Sequence, residues 1–266
     1  FYSGDFRAHG RKSQLFEQMI RKPPTKIDCL LMEGSMLGRS GQIYKDEVAV
    51  QEGIEDILKN KSNIAFFFAS AQNIDRMVSA YKACLKTNSI LVIDLYMAFI
   101  FHKLGKISKH LPQFDWPNVQ VYFFHSHAER LVEAGHKDLL YLFNTRKIKG
   151  AEVNAQKQKV LMLARDNSLF PLIVKEIKNI KGATIIYSMW DGYLTEKFEE
   201  RCAQQGIEIK KLHTSGHATL DDLKVFEKAL KPKVLIPIHT FEPDRYKDLF
   251  QNVMMLKDGE VFDLGS

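Results

Sequence analysis

Cysteine is scarce in this chain. Cys29, Cys84 and Cys202 are the only three in 266 residues, far apart and with no Cys-x-x-Cys spacing. That pattern excludes a disulfide framework and makes a reducing cytoplasm the simplest compartment. Long apolar runs are lacking too. The most apolar stretch, Ile90 to Phe101, is interrupted by Asp94 and falls well short of the roughly 20 residues that span a bilayer. No signal-peptide pattern is visible, and no membrane partner is expected. Gly-x-Gly-x-x-Gly is absent, so no dinucleotide is expected, and there are neither internal repeats nor low-complexity tracts.

What is present is an ordinary globular composition, 45% apolar and 26% charged. The length suits one large domain or two. Lys and Arg number 38 against 32 acidic residues, a net charge of +6, which fits a polyanionic partner without requiring one.

From Asp46 to Gln205 the sequence alternates apolar runs with helical periodicity. Ile64–Ala69, Ser89–Ile93, Val119–Phe124, Val160–Leu163 and Ala183–Tyr187 are continuous apolar strands, as in a parallel sheet covered on both faces. The spacing predicts helices between them and a Rossmann-like α/β domain. Before it, Gln14–Ile20 reads as a short helix ended by Pro23-Pro24, and Ile27–Met32 as a strand. After it, Asn252–Leu264 is predicted to close the chain as a hairpin turning at Asp258-Gly259.

The stretch from Leu212 to His239 organises the functional reading. A strand ends at Leu212, His213-Thr214-Ser215-Gly216-His217 forms a small polar turn, and Thr219 with Asp222 approximates a capping box. Leu220, Leu223, Phe226 and Leu230 follow at helical spacing, Lys231-Pro232 ends the helix, and Val234–Ile238 delivers His239 at a strand tip. This is how an α/β enzyme places imidazoles at the carboxyl ends of its strands. The plain alternative is core histidines with satisfied hydrogen bonds.

His-x-Ser-Gly-His, a helix, then Pro-Lys-x-x-Ile-Pro-Ile-His-Thr resembles the C-terminal signature of the β-CASP branch of the metallo-β-lactamase fold. That branch holds ribonuclease J-like enzymes and the cleavage and polyadenylation endonucleases. Two further segments share the likeness: Gly4-Asp5-Phe6-Arg7-Ala8-His9-Gly10 resembles the family's Gly-Asp-x-Arg-x-His-Gly, and Glu33, directly after a strand, resembles its motif A acid. The resemblance implies a partial metallo-β-lactamase αββα lobe from residues 1–45 and 206–266, with residues 46–205 as the inserted parallel α/β β-CASP domain.

It also implies roles. Asp5 and His239 match metal ligands, and His217 matches a general acid oriented and charged by Glu33. His213, Ser215 and the Gly216 backbone match phosphate contacts, Ser70 and Arg76 match phosphate contacts from the insertion, and Ser188, at the end of its last strand, could bind phosphate. Here the sequence departs from the family: the loop after Phe68-Ala69-Ser70 is longer, and Asp75 stands where His is usual. Trp190 and Tyr193 could stack on bases or close an interface.

The implied activity is zinc-dependent hydrolysis of nucleic-acid phosphodiester bonds by exo- or endonuclease action. Single-stranded RNA is the implied partner, since a histidine in the place of His239 goes with the family's RNA-processing members. DNA as substrate and a homodimer stay open. So do two other readings: a non-catalytic RNA-binding module with a degenerate metal site, and a metallo-hydrolase acting on DNA or a small phosphodiester. The family's His-x-His-x-Asp-His motif occurs nowhere in the chain, and Phe1 is not a Met start. The expectation is therefore a C-terminal portion of a longer protein. The intact parent would hold two Zn²⁺ ions, and this portion, lacking the N-terminal half of the same domain, would bind them weakly and be inactive alone.

Overall fold

The structure, a computed structural model, describes residues 1–39 and 44–264. The expected end of the first segment, near residue 45, therefore follows four residues, 40–43, that lie outside this description. The chain divides into two units, Phe1–Asp46 with Thr214–Ser266, and Glu47–His213. In the first, α1 (Ser13–Arg21) and β1 (Cys29–Glu33) precede the second unit. The second runs α2 (Glu47–Asn60), β2 (Ala65–Phe68), α3 (Ile74–Lys86), β3 (Ile90–Asp94), α4 (Leu95–Gly105) and β4 (Val119–Tyr122). It continues with α5 (His125–Glu133), α6 (Lys137–Asn144), β5 (Lys147–Ile148), α7 (Gly150–Ala155) and β6 (Val160–Ala164). α8 (Phe170–Glu176), β7 (Thr184–Tyr187), α9 (Glu196–Gln204) and β8 (Glu208–Lys211) complete it. The first unit resumes with α10 (Leu220–Leu230), β9 (Val234–Ile238) and α11 (Arg245–Leu249). The protein is thus α/β with parallel sheets. Among the described residues no helix is long and apolar enough to cross a membrane.

The second unit is built on a seven-stranded, wholly parallel sheet in the order β5-β4-β3-β6-β2-β7-β8. β2 lies inside it, between β6 and β7, and its Ala65, Phe66, Phe67 and Phe68 are all buried because helices cover both faces. Phe66 and Phe68 meet Phe170 edge-on at 5.2 and 5.1 Å, which locks the start of α8 over the sheet. Truncating one such buried Phe costs about 3–5 kcal/mol. From β3 the chain moves outward to β4, whereas from β6 it moves the other way, past β2 to β7. Right-handed crossovers then send the helices after β3 and β6 to opposite faces, which leaves a crevice at the carboxyl ends of these adjacent strands.

In the first unit β1 and β9 pair in parallel from Cys29↔Val234 to Glu33↔Ile238. Parallel bridges Tyr2↔Leu31 and Leu235↔Val253 flank them. Leu30, Met32, Leu223, Phe226, Leu230 and Leu235 form the core beneath, and Phe6 packs against Phe226 with its ring tilted, centroids 4.8 Å apart. The capping box of α10 is present: the Thr219 hydroxyl accepts the Asp222 N–H and the Asp222 carboxylate accepts the Thr219 N–H, each at 3.1 Å. Lys231 ends that helix at φ +48°, the left-handed exit.

Two local expectations differ from what is found, and one short strand gave no signal. The chain returns to the first unit after His213 rather than after Gln205, because β8 pairs with β7 and extends the sheet. β5, two residues long, was too short to give a periodic signal. The C-terminal hairpin is corrected: the turn at Asp258-Gly259 is present, but the flanking residues form no ladder with each other. Instead Val253 bridges Leu235, with Leu235 N–H to Asn252 O at 2.9 Å and Met254 N–H to Leu235 O at 2.8 Å. The apolar run is spent on the sheet edge of β9, and Val261 is left exposed.

A buried ion pair ties α2 to α3. Arg76 Nε and Nη2 donate to the Glu47 carboxylate at 3.0–3.2 Å, and the Ser79 hydroxyl donates to the same carboxylate at 2.8 Å. Arg76 is 0% and Glu47 1% exposed. Such a pair stabilises little over apolar isosteres, but losing one partner strands a buried charge. Arg76→Met or Glu47→Leu alone is expected to lower stability by about 3–5 kcal/mol. The Glu47→Leu/Arg76→Met double variant should lose less than the sum of the single losses. Urea unfolding followed by circular dichroism checks this.

Candidate functional site

The register of β1 and β9 brings Glu33 opposite Ile238, so the residue after Ile238, His239, leaves the sheet at the same end as Glu33. The N-terminal segment joins them: Ser3 N–H bonds Leu31 O at 2.9 Å, and Asp5 lies just beyond. The turn before α10 supplies His217. Asp5 Oδ1 lies 2.5 Å from His239 Nδ1 and 3.9 Å from His217 Nδ1, and the two imidazoles are 5.8 Å apart. Asp5, His217 and His239 each offer a donor atom within 4.8 Å of the others. Beside them is a cavity of 280 Å³ lined by Ser35, Arg39, His217, His239, Thr240 and Phe241. His239 adopts φ +52°, unusual for a residue with a Cβ, and the Ser35 hydroxyl donates to its carbonyl at 3.0 Å.

Glu33 anchors this cluster. It is 0% exposed, yet its carboxylate accepts N–H groups from Phe6 (3.0 Å), Ala218 (3.2 Å) and Ser35 (3.4 Å), and faces His217 Nδ1 at 3.0 Å. Burial alone would push its pKa up, but the hydrogen bonds from His217, Phe6 and Ala218 outweigh that and hold it below the ordinary carboxylate value. The bond to Glu33 in turn raises the His217 pKa against the opposing effect of burial. An acid fixed on one ring nitrogen leaves Nε2 as the nitrogen able to exchange a proton.

Several further residues support the cluster. The Tyr246 hydroxyl lies 2.6 Å from Glu33 O and 3.1 Å from Met32 O. Gly34 makes room for it: a Cβ there would sit 2.6 Å from that hydroxyl. Arg7 Nη1 and His9 Nε2 hold the Ser215 carbonyl at 3.2 and 2.9 Å. His9, noted in the N-terminal motif, thus braces the histidine turn. Its Nδ1 lies 3.8 Å from the capping carboxylate of Asp222. Gly34 follows the motif acid and could have been flagged, whereas Tyr246 is distant in sequence and belongs to no pattern.

The sequence-predicted residues fall into separate groups. Asp5, Glu33, His217 and His239 come together in the first unit. The Ser215 hydroxyl is 7% exposed as a residue, accepts His217 N–H at 3.0 Å and donates to Met36 Sδ at 3.0 Å, so it is engaged internally. Gly216 is exposed with open space around its Cα. In the second unit Arg76 Nη1 donates to Ser188 O at 3.0 Å and to the Ser188 hydroxyl, which donates to Leu212 O. Both side chains are buried, and Arg76 Nη1 reaches His213 Nδ1 at 3.4 Å. Burial and then the Arg76 charge push His213 down to about 4. Ser70 is exposed and accepts Gln72 N–H at 3.3 Å, while Asn73 caps α3. Trp190 and Tyr193 pack edge to face at 5.2 Å.

No family model matches the chain. It is similar to ribonuclease J of Helicobacter pylori strain ATCC 700392 / 26695, 24% identical over 251 residues, which is 89% of this chain and 34% of that protein. Ribonuclease J of strain B128 matches to the same extent. The chain thus spans about a third of the length of the curated relatives it matches. Among solved structures, a protein of unknown function from Enterococcus faecalis V583 superimposes with a TM-score of 0.74 at 19% identity, over 97% of this chain and 56% of that one, which is a likeness of fold.

Removing the charge of Glu33 tests the electrostatics directly. In Glu33→Gln the His217 ring should titrate at lower pH than in the unsubstituted chain, as read from its imidazole NMR signals. The sign follows from linkage. A raised imidazole pKa stabilises fully below the unfolded value near 6.5, and that contribution fades as pH rises through the folded value. The depressed Glu33 pKa adds stability that is lost as pH falls through its folded value.

Proposed function

We propose that this chain is part of a metal-dependent ribonuclease of the β-CASP, ribonuclease J type. In this reading Phe1–Asp46 and Thr214–Ser266 belong to a metallo-β-lactamase lobe, and Glu47–His213 is the inserted domain. The observation that carries the reading is the convergence of Asp5, Glu33, His217 and His239 from four segments distant in sequence. The weak similarity to ribonuclease J over 89% of the chain supports a nuclease relationship. The net positive charge and RNA as substrate are compatible with it.

The donor set fits zinc in chemistry: one carboxylate and exposed imidazole nitrogen, with a second imidazole close by. Asp5 and His239 would be the ligands, and a bound ion would supply Lewis-acid stabilisation of the phosphate and a nucleophilic water at neutral pH. Two ligands make a weak site, and with no His-x-His-x-Asp-His in the chain, we propose that the chain alone binds zinc poorly and cleaves no RNA. His217 has a different task. Its Nδ1 is committed to Glu33, which raises the pKa of the ring and so favours its protonated form, and Nε2 would give a proton to the leaving oxygen. The open backbone at Gly216 is the contact suited to a phosphate oxygen, while Arg76, Ser188 and His213 hold their loops.

The test measures zinc content beside turnover in the full-length protein. His239→Ala should lose both together. His217→Ala should keep its zinc while turnover falls by about a hundredfold to ten-thousandfold, the usual worth of a general acid. Equal zinc loss in both variants overturns the division of roles. Preference for DNA over RNA in the same assay overturns the substrate, and robust zinc-dependent cleavage by this chain alone overturns the claim that its site is incomplete.

A further inference from the structure

A second cavity, larger than the one beside His217 and His239, is lined wholly by residues of the second unit. It has a volume of 540 Å³, within the range of about 300–1,000 Å³ typical of small-molecule sites. It opens at the carboxyl ends of β3 and β6, at the crevice where the crossover direction reverses, the place where open parallel sheets receive ligands.

Its lining has three chemistries. Asp94, at the tip of β3, caps α4 with one carboxylate oxygen, accepting Met97 N–H at 2.7 Å, and keeps the other 3.9 Å from His127 Nδ1. That imidazole nitrogen is buried and, among the described residues, has no hydrogen-bond partner. Phe124 packs edge-on against the His127 ring at 5.5 Å, giving an aromatic wall. At the cationic side are Arg130 and Arg165, and among the described residues neither guanidinium has a hydrogen-bond or ion-pair partner. Both act on His127 electrostatically, and with burial as the leading cause they depress its pKa despite Asp94. The cavity therefore joins an aromatic wall, a carboxylate at a strand tip and two guanidiniums without a partner among the described residues, around a buried imidazole nitrogen.

We propose that this cavity is a binding site for a nucleoside monophosphate. The base would lie against Phe124, the Asp94 carboxylate would accept a ribose hydroxyl or exocyclic amino proton, and Arg130 and Arg165 would hold the phosphate. Guanidiniums take the place of the glycine-rich phosphate turn that the sequence lacks, and their fork geometry suits a phosphate group. The site is independent of the Asp5–His239 cluster and does not rest on the nuclease reading.

The experiment is isothermal titration of the full 266-residue chain with AMP, GMP, CMP and UMP, and separately with the four matching nucleosides and inorganic phosphate. At least one nucleotide should bind, and its nucleoside and free phosphate should bind at least about tenfold more weakly. Arg130→Ala and Arg165→Ala should each weaken nucleotide binding at least about tenfold, the loss of a charge-assisted hydrogen bond. Asp5→Ala/His239→Ala should leave nucleotide binding unchanged. Nucleotide should also shift the His127 ring signal in the NMR spectrum of the unsubstituted chain, a readout that needs no variant to fold. No binding at millimolar nucleotide, equal affinity for inorganic phosphate, binding indifferent to both arginine substitutions, or binding lost in the Asp5/His239 variant would each overturn the proposal.

Discussion

The buried carboxylate of Glu33 is the constraint on which the first unit's candidate site depends. A charge with 0% exposure is tolerated only when its oxygens are fully engaged, and here three backbone N–H groups and an imidazole do so. Those donors come from the N-terminal loop, the turn after β1 and the turn before α10. One acid therefore ties three loops to the tip of a strand. The same bonds that make its burial tolerable also set the protonation of His217, so structure and chemistry share one set of contacts.

Around that anchor the supports are graded. Tyr246 holds the backbone at Glu33 through its hydroxyl, and the approach is open because residue 34 is glycine. Arg7 and His9 grip the Ser215 carbonyl, which fixes the turn that presents His217. His239 is more exposed and sits in a left-handed conformation braced by Ser35. An exposed imidazole next to an exposed carboxylate, beside a buried acid–imidazole pair, separates two electrostatic tasks within a few ångströms.

The second unit solves a different problem. Its parallel sheet needs both faces covered, and the all-apolar β2 meets that need. The Glu47–Arg76 pair is buried where α2 meets α3, and Ser188 and His213 are drawn into the same network. The reversal of crossover direction between β3 and β6 then leaves an open crevice at one end of an otherwise closed core. Its cationic and aromatic lining follows from loops and helix starts, the parts of such a fold least constrained by packing.

Much of this was legible in the chain before any coordinates. Continuous apolar runs such as Ala65–Phe68 identify buried parallel strands because both faces must be apolar, and Thr219 with Asp222 marks a helix start because two backbone N–H groups there lack partners. The likeness of the segments around Asp5, Glu33, His217 and His239 to β-CASP motifs, in the same order along the chain, selected them as candidates. Sequence could not decide which polar side chains face outward. Arg76 and Ser188 have the residue types of a phosphate contact, but they are consumed by Glu47 and the Leu212 carbonyl, partners far away in the chain. Nor could it reveal Tyr246 beneath Glu33, the edge pairing of Val253 with Leu235, or the cavity at Asp94 and His127. Periodicity and capping are local, so the sequence alone determined the elements and the candidate residues. Burial and hydrogen-bond partnership depend on which distant segments meet, and only the tertiary structure decided them.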